Sequence, residues 1–154
     1  FTFNTKRLKL GDSHIVYLGL GSNIGNRQEK LRQSIEKIRQ EIGEVVRQSS
    51  FYETKPWGFD SPHLFLNACI CVLTSLSPNQ LLISTQKIEK QLGRLKKTTI
   101  HGHYTDRIID IDILLYDNIE VSEKNLIIPH PLIKEREFVM KPLFEICPNI
   151  EELL

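Results

Sequence analysis

Long apolar runs are missing from this sequence of 154 residues. A membrane-spanning helix needs about 20 consecutive apolar residues. The longest candidate, around Ile108 to Tyr116, is interrupted by Asp110 and Asp112, so no membrane contact is expected. A surplus of one charge is missing too. Its 20 Lys and Arg against 19 Asp and Glu leave a formal net charge of +1, so no global field favours nucleic acid, and any anion-binding surface has to be local. Cysteine is scarce: Cys69, Cys71 and Cys147 are the three present. They are odd in number, form no C-x-x-C pair and lack a second ligand pair at zinc spacing. Reduced, mostly buried thiols in a cytoplasmic protein are the expectation. Internal repeats, low-complexity tracts, linkers and a signal-peptide pattern are not seen. Residues 1–12 are basic and weakly patterned and are set aside as a native extension or a remnant of expression. The remainder, residues 13–154, suits one domain with one core.

Periodicity is what the chain has. Residues 15–20 are an apolar run bounded by glycine, which predicts a buried strand. Residues 26–41 carry Leu31, Ile35 and Ile38, followed by Ile42, spaced for one helix face. Asn26 and Glu29 give a capping-box-like start, and Gly43 gives the stop. Residues 45–52 and 65–74 predict strands, and residues 77–92 a second helix with Ser77 as cap, Pro78 in its first turn and Gly93 past its end. Residues 55–63 form a loop, and residues 94–106 a longer basic one. Residues 107–116 predict a strand, residues 120–128 a short strand or hairpin, and residues 134–145 a short helix interrupted near Pro142. The order β-α-β-β-α-β predicts an α+β fold of ferredoxin-like type with a mainly antiparallel sheet.

Several side-chain patterns carry chemistry. Gly19, Gly21 and Gly25 stand between a strand and a helix. Their spacing does not fit a dinucleotide fingerprint, and no Walker lysine follows; a tight turn that brings backbone close to a ligand is the expectation. Asp110 and Asp112 are two apart on a strand, so both carboxylates face one side while Ile109, Ile111 and Ile113 face the core. Two carboxylates this close raise each other's pKa or require a cation, and an oxygen-only set this small suits Mg²⁺ with substrate phosphates as further ligands. An ordinary solvated strand face remains the alternative. Arg94, Lys96, Lys97 and Arg107 precede the pair, and His130, Lys134 and Arg136 follow it, a set able to neutralise a polyphosphate. His130 sits between Pro129 and Pro131, which restrict its backbone. His101 and His103 read as solvated. Phe65 and Asn67 share a face of their strand. They offer a stacking ring beside an amide that both donates and accepts, or simply a core ring and an edge polar group.

In order along residues 15–150, these patterns resemble the 6-hydroxymethyl-7,8-dihydropterin pyrophosphokinase family. The matching residues are Leu20-Gly21-Ser22-Asn23-Ile24-Gly25-Asn26-Arg27, Ser50-Phe51-Tyr52-Glu53-Thr54, Phe65-Leu66-Asn67, Ile88-Glu89 with Leu92-Gly93-Arg94, the run from Arg107 to Tyr116, and Pro129-His130-Pro131 with Arg136 and Phe138. The resemblance implies a ferredoxin-like core within an α-β-α sandwich. It also implies transfer of pyrophosphate from ATP to the pterin hydroxymethyl group, with AMP leaving, on the route to folate. Asp110 and Asp112 would hold two Mg²⁺ ions, with Arg94 and Arg107 as catalytic partners. ATP would meet Arg94, Lys96, Tyr104, Arg107, Ile113, His130 and Arg136. The pterin would lie between Phe65 and Phe138, its polar edge at Thr54, Asn67 and the backbone near Pro56 and Trp57. A cytoplasmic monomer is expected, with no nucleic-acid partner. The chain departs from the family at Tyr104-Thr105-Asp106, where Trp-Gly-Pro is usual, and at Lys96, where arginine is common. Two rivals compete: a metal-dependent phosphohydrolase and a non-catalytic ligand-binding module.

Overall fold

The computed structural model describes residues 13–94 and 106–154. The elements are β1 (His14–Ser22), α1 (Arg27–Glu41), β2 (Gly43–Gln48), β3 (Tyr52–Thr54), β4 (Phe65–Thr74), α2 (Pro78–Gln91), β5 (Asp110–Tyr116), β6 (Val121–Glu123), β7 (Leu126–Ile128), α3 (Glu137–Ile146) and α4 (Ile150–Leu153), with a 3-10 turn at Ile133–Glu135. The main sheet runs β2-β4-β1-β5, with β3 sharing the β2 edge of β4, and β6 and β7 form a separate hairpin. Every pairing is antiparallel. This is the ferredoxin-like α+β order expected from the element sequence.

Apolar layers form on both faces of the sheet. On one, Leu31, Ile35 and Ile38 of α1 and Leu81 and Ile88 of α2 pack on Val16, Leu18, Ile70, Val72, Ile109, Ile111 and Ile113. On the other, Leu143 and Ile146 of α3 pack on Cys69, Cys71, Leu114 and Leu115. Each fully buried Leu or Ile contributes roughly 1.5–3 kcal/mol relative to exposure. The three thiols are buried and unbridged. Among the described residues, no helix is long and apolar enough to cross a membrane.

Local chemistry sets the boundaries, and several differ from expectation. At α1 only half a capping box forms, with Asn26 Oδ1 accepting from Glu29 N at 3.2 Å. The complete box is at α2, where Ser77 and Gln80 exchange both bonds. α1 ends just before Gly43, at Glu41 with Ile42 as its C-cap, and Gly43 at once opens β2, where a Cβ would collide with the Leu73 carbonyl. The strand expected over residues 45–52 is broken. Cys69 O still accepts Ser49 N at 2.9 Å, but Cys69 N–H goes to Ser49 Oγ and Ser50 N turns to the Glu145 carboxylate, so the ladder ends there. β5 starts at Asp110, later than residue 107, because Arg107 N bonds the Asn23 side chain at 2.7 Å. The last long helix begins at Glu137 and runs through Pro142 without interruption, as Pro142 is buried where α3 packs on the sheet.

Candidate active site

The site is built on the α3 side of the sheet, where β1 is almost bare. In register, Gly21 lies between Asn67 of β4 and Asp110 of β5, and Gly19 between Cys69 and Asp112. Both glycines are strand residues, which corrects the tight turn expected over residues 19–25. β1 continues to Ser22, and only Gly25 of these three has a positive φ. Without side chains they form a flat floor. A Cβ at Gly21 would stand 3.1 Å from Asn67 Oδ1.

Walls rise around this floor to form an open cleft. Thr54 closes β3, and Lys55, Trp57 and Phe59 follow it; β4 supplies Phe65 and Asn67. Asp110 and Asp112 come from β5, with Arg107 just before them, and α3 brings Phe138, Val139 and Pro142, with Arg136 at its start. Asn67 Nδ2 donates to Thr54 Oγ1 at 2.7 Å, leaving the amide oxygen toward Gly21. The Phe59 and Phe65 rings meet edge to face at 6.1 Å. The Arg136 guanidinium lies 4.6 Å from the Trp57 ring centre and 5.7 Å from that of Phe138, inside cation–π range. The β5 pattern holds because its bulge lies beyond the acids. The β1 partners jump from Leu115 to Ile113 there, so Leu114 is the extra residue, and Asp110 and Asp112 keep the alternation of an unbroken strand.

A buried ion network lies directly behind the acids. Arg94 Nη1 donates to Glu89 Oε2 at 3.0 Å, to the Ile109 carbonyl at 3.1 Å and to Asp110 Oδ1. Arg107 Nη1 is 3.2 Å from the other Asp110 oxygen. Glu89, on α2, also accepts from Ile111 N at 2.8 Å. Burial alone would lower the Arg94 guanidinium; the Asp110 and Glu89 charges outweigh it and hold it above its usual value. Asp110 thus faces the cleft while being gripped from behind.

The expected residues divide as follows. Thr54, Trp57, Phe65, Asn67, Arg107, Asp110, Asp112, Arg136 and Phe138 line one cleft. Arg94 is buried behind Asp110. Pro56 does not line the cleft, although its neighbours Lys55 and Trp57 do. The Ile113 side chain packs in the helix-facing core and not on the cleft, because the pleat turns it away from the acids. His130 is anchored by its N–H to Leu114 O and accepts from Leu132 N through Nδ1, just after the cis Ile128–Pro129 bond. It too stands outside the cleft lining. Lys96, Lys97, His101, His103 and Tyr104 lie outside the described residues.

Other residues were not foreseen. Buried Asn23 takes Arg107 N on its oxygen and donates to the His63 carbonyl at 3.1 Å and to Asp106 at 2.8 Å, joining three chain segments. Glu89 carried a signal, an acid beside Ile88 on the apolar face of α2. Phe59, Val139 and Pro142 carried none beyond their apolarity.

Known proteins resemble this chain in sequence and in fold. A family profile for 7,8-dihydro-6-hydroxymethylpterin-pyrophosphokinase (HPPK) matches residues 17–148. The 2-amino-4-hydroxy-6-hydroxymethyldihydropteridine pyrophosphokinase of Porphyromonas gingivalis is 46% identical over 135 residues, covering 87% of this chain and 91% of that protein. The protein of the same name from Bacillus subtilis is 41% identical over 141 residues, covering 91% and 82%. Among solved structures, an HPPK-DHPS in complex with substrates superposes with a TM-score of 0.70 at 15% identity, covering 88% of this chain and 40% of that longer one. At that identity the likeness shows the fold alone. The profile and the near full-length relatives together show that the chain belongs to the 7,8-dihydro-6-hydroxymethylpterin-pyrophosphokinase family.

Proposed function

We infer that this chain transfers the pyrophosphoryl group of ATP to the hydroxymethyl group of 6-hydroxymethyl-7,8-dihydropterin, giving AMP and the pterin pyrophosphate in folate biosynthesis. One observation carries the reading at this site. A single cleft holds a paired carboxylate, two arginines and an aromatic–amide wall. In the proposed reaction the hydroxymethyl oxygen bonds to the β-phosphorus, the bond from that phosphorus to the bridging oxygen of AMP breaks, and the hydroxyl proton is lost to solvent. No covalent bond to the protein is needed; positioning and charge neutralisation supply the rate.

The residues take distinct roles in this reading. Phe65 and Phe138 sandwich the pterin, and Thr54 and Asn67 read its polar edge, with the backbone around Pro56 and Trp57 closing over it. Arg107 and Arg136 meet the phosphates. Arg94 holds Asp110, and His130, oriented by the bond from Leu132 N to its Nδ1, is a proposed nucleotide contact. Lys96 and Tyr104 remain proposed nucleotide contacts. Asp110 and Asp112 both line the cleft, and a carboxylate oxygen bonded to arginine keeps a second lone pair, so the donors fit Mg²⁺. Two Mg²⁺ ions bound there would neutralise phosphate charge and favour attack by the hydroxyl. A cytoplasmic monomer is the proposed state, and three unbridged buried thiols fit that compartment.

Mixing the protein with Mg-ATP and the dihydropterin tests the activity. AMP formed only when the pterin is present is the expected result. Phosphate released without pterin would point instead to a phosphohydrolase.

The glycine floor makes a separate prediction. Gly21→Ala would press the new methyl on the Asn67 amide oxygen, while in a strand it would otherwise be tolerated. The KM for the pterin should rise about tenfold, equivalent to ~1.4 kcal/mol, with the unfolding midpoint within a few degrees. An unchanged KM in steady-state assays would remove Asn67 from the pterin site.

A further inference from the structure

Tyr52, Ser50 and Glu145 form a cluster at the surface that the reaction itself does not use. The Glu145 carboxylate of α3 accepts Ser50 N at 2.9 Å and 3.1 Å through its two oxygens, Ser50 Oγ at 3.3 Å and the Tyr52 hydroxyl. The Tyr52 and Ser50 donors outweigh partial burial and hold this carboxyl below its usual range, so it is ionised at neutral pH. A second tie lies beside it, from Arg47 Nη1 to the Ile146 carbonyl at 2.8 Å. Both ties hold the C-terminal end of α3. At its other end, α3 has no side-chain cap.

These contacts lie at the two ends of one mechanical chain. Phe138, Pro142 and Glu145 are spaced i, i+4 and i+7, so they share a face of α3. On the other side Tyr52 is the register partner of Asn67, and Thr54, two residues on, accepts from the Asn67 amide. The bond from Glu145 to Tyr52 therefore joins the element carrying Phe138 to the strand carrying Thr54. Those are the opposing walls of the slot between α3 and the sheet. Glu145 and Ser50 are exposed, and α3 is held to the sheet mainly by Leu143 and Ile146. Exposed bonds of this kind add little to fold stability, but they fix where along the sheet the helix sits.

We propose that Glu145 is a positioning residue for the pterin slot, setting the gap between Phe138 and the Thr54–Asn67 pair through its bonds to Tyr52 and Ser50. The proposal rests on the pterin reading of that cleft. It makes a specificity device of a surface carboxylate that touches no substrate. A wider slot would weaken binding of the flat bicyclic substrate while leaving the phosphate side of the cleft, and hence the chemical step, unaltered.

Glu145→Ala, Glu145→Gln and Tyr52→Phe are compared with the unaltered protein by steady-state kinetics at saturating Mg-ATP, and by titration of the pterin against Trp57 fluorescence. In Glu145→Ala the KM and dissociation constant for the pterin should rise about tenfold, as expected for a slot that is no longer pre-organised and has to be ordered on binding. The kcat and the KM for ATP should stay within about twofold and the unfolding midpoint within about 4 °C. Glu145→Gln keeps an acceptor for the Tyr52 hydroxyl and should recover most of the loss, while Tyr52→Phe should reproduce part of it. Pterin constants within twofold in every variant would leave the cluster a purely structural tie and overturn the proposal. A parallel rise in the KM for ATP would also overturn it. If the unaltered protein neither binds the pterin nor forms pterin-dependent AMP, the functional reading itself falls.

Discussion

Asp112→Ala should lower pterin-dependent AMP formation on the order of 10³-fold or more while the protein stays folded, the scale seen when a group stabilising transition-state charge is removed. The acids stand on alternate positions of β5, facing the cleft beside an almost bare strand. Removing Asp112 takes away half of the protein's carboxylate donors and leaves the floor untouched. Asp110→Asn should be comparably damaging for a second reason. Its two oxygens are gripped by Arg94 and Arg107, so losing the charge also loosens the two arginines that brace this edge of the cleft. The more informative measurement is the dependence of rate on Mg²⁺ concentration. Half-saturation should move up at least about tenfold in Asp112→Asn, because one carboxylate is a weaker site than two. Activity within threefold of the unaltered protein, with the same Mg²⁺ dependence, would show that these acids do not carry the reaction.

Glu89→Ala should be the most destabilising single change at the site. Glu89 is buried, pairs with buried Arg94 and also accepts the Ile111 N–H. Removing it takes one carboxylate from buried Arg94, which keeps Asp110, and the acceptor that Glu89 gives to Ile111 N–H; breaking one arm of a buried network costs about 3 kcal/mol. For a chain of this size that lowers Tm by roughly 10 °C. Glu89→Gln, which can still accept from Ile111 N, should lose less stability but release Arg94 from one of its acceptors and thereby alter the setting of Asp110. Denaturant titration separates the two variants. An unchanged midpoint for Glu89→Ala would mean that Arg94 finds its charge balance elsewhere.

What was legible in the chain followed from periodicity. The stripes of α1 and α2 and the unbroken apolar β4 face two packed layers, and local spacing reports that directly. The Asp110 and Asp112 pair was legible for the same reason, since a two-residue repeat on a strand places both on one side. The glycines misled because glycine usually marks a turn; in β1 it marks space for something lying on the strand. Ser49 and Pro142 misled because partners remote in sequence overrode local preference, Cys69 at the strand break and the sheet beneath α3. Asn23 could not be foreseen from spacing, since its partners Asp106 and Arg107 lie more than eighty residues away. Ile113 was assigned from family likeness alone, and the strand pleat sends its side chain to the opposite face.

The bare central strand has a metrical consequence. Asn67 and Asp110 are both register partners of Gly21, one on each side. Their backbones are therefore two strand spacings apart, about 9.6 Å. Hydrogen bonding of the sheet sets that interval, independently of rotamers or loops. The amide at one end and the carboxylates at the other make a gauge set by the pairing of three strands. Residues 55–63 and the segment before Arg107 can change in length or composition without recalibrating it. A substrate whose polar edge and reacting arm do not match the interval must lift off the floor at one end, whatever closes above it.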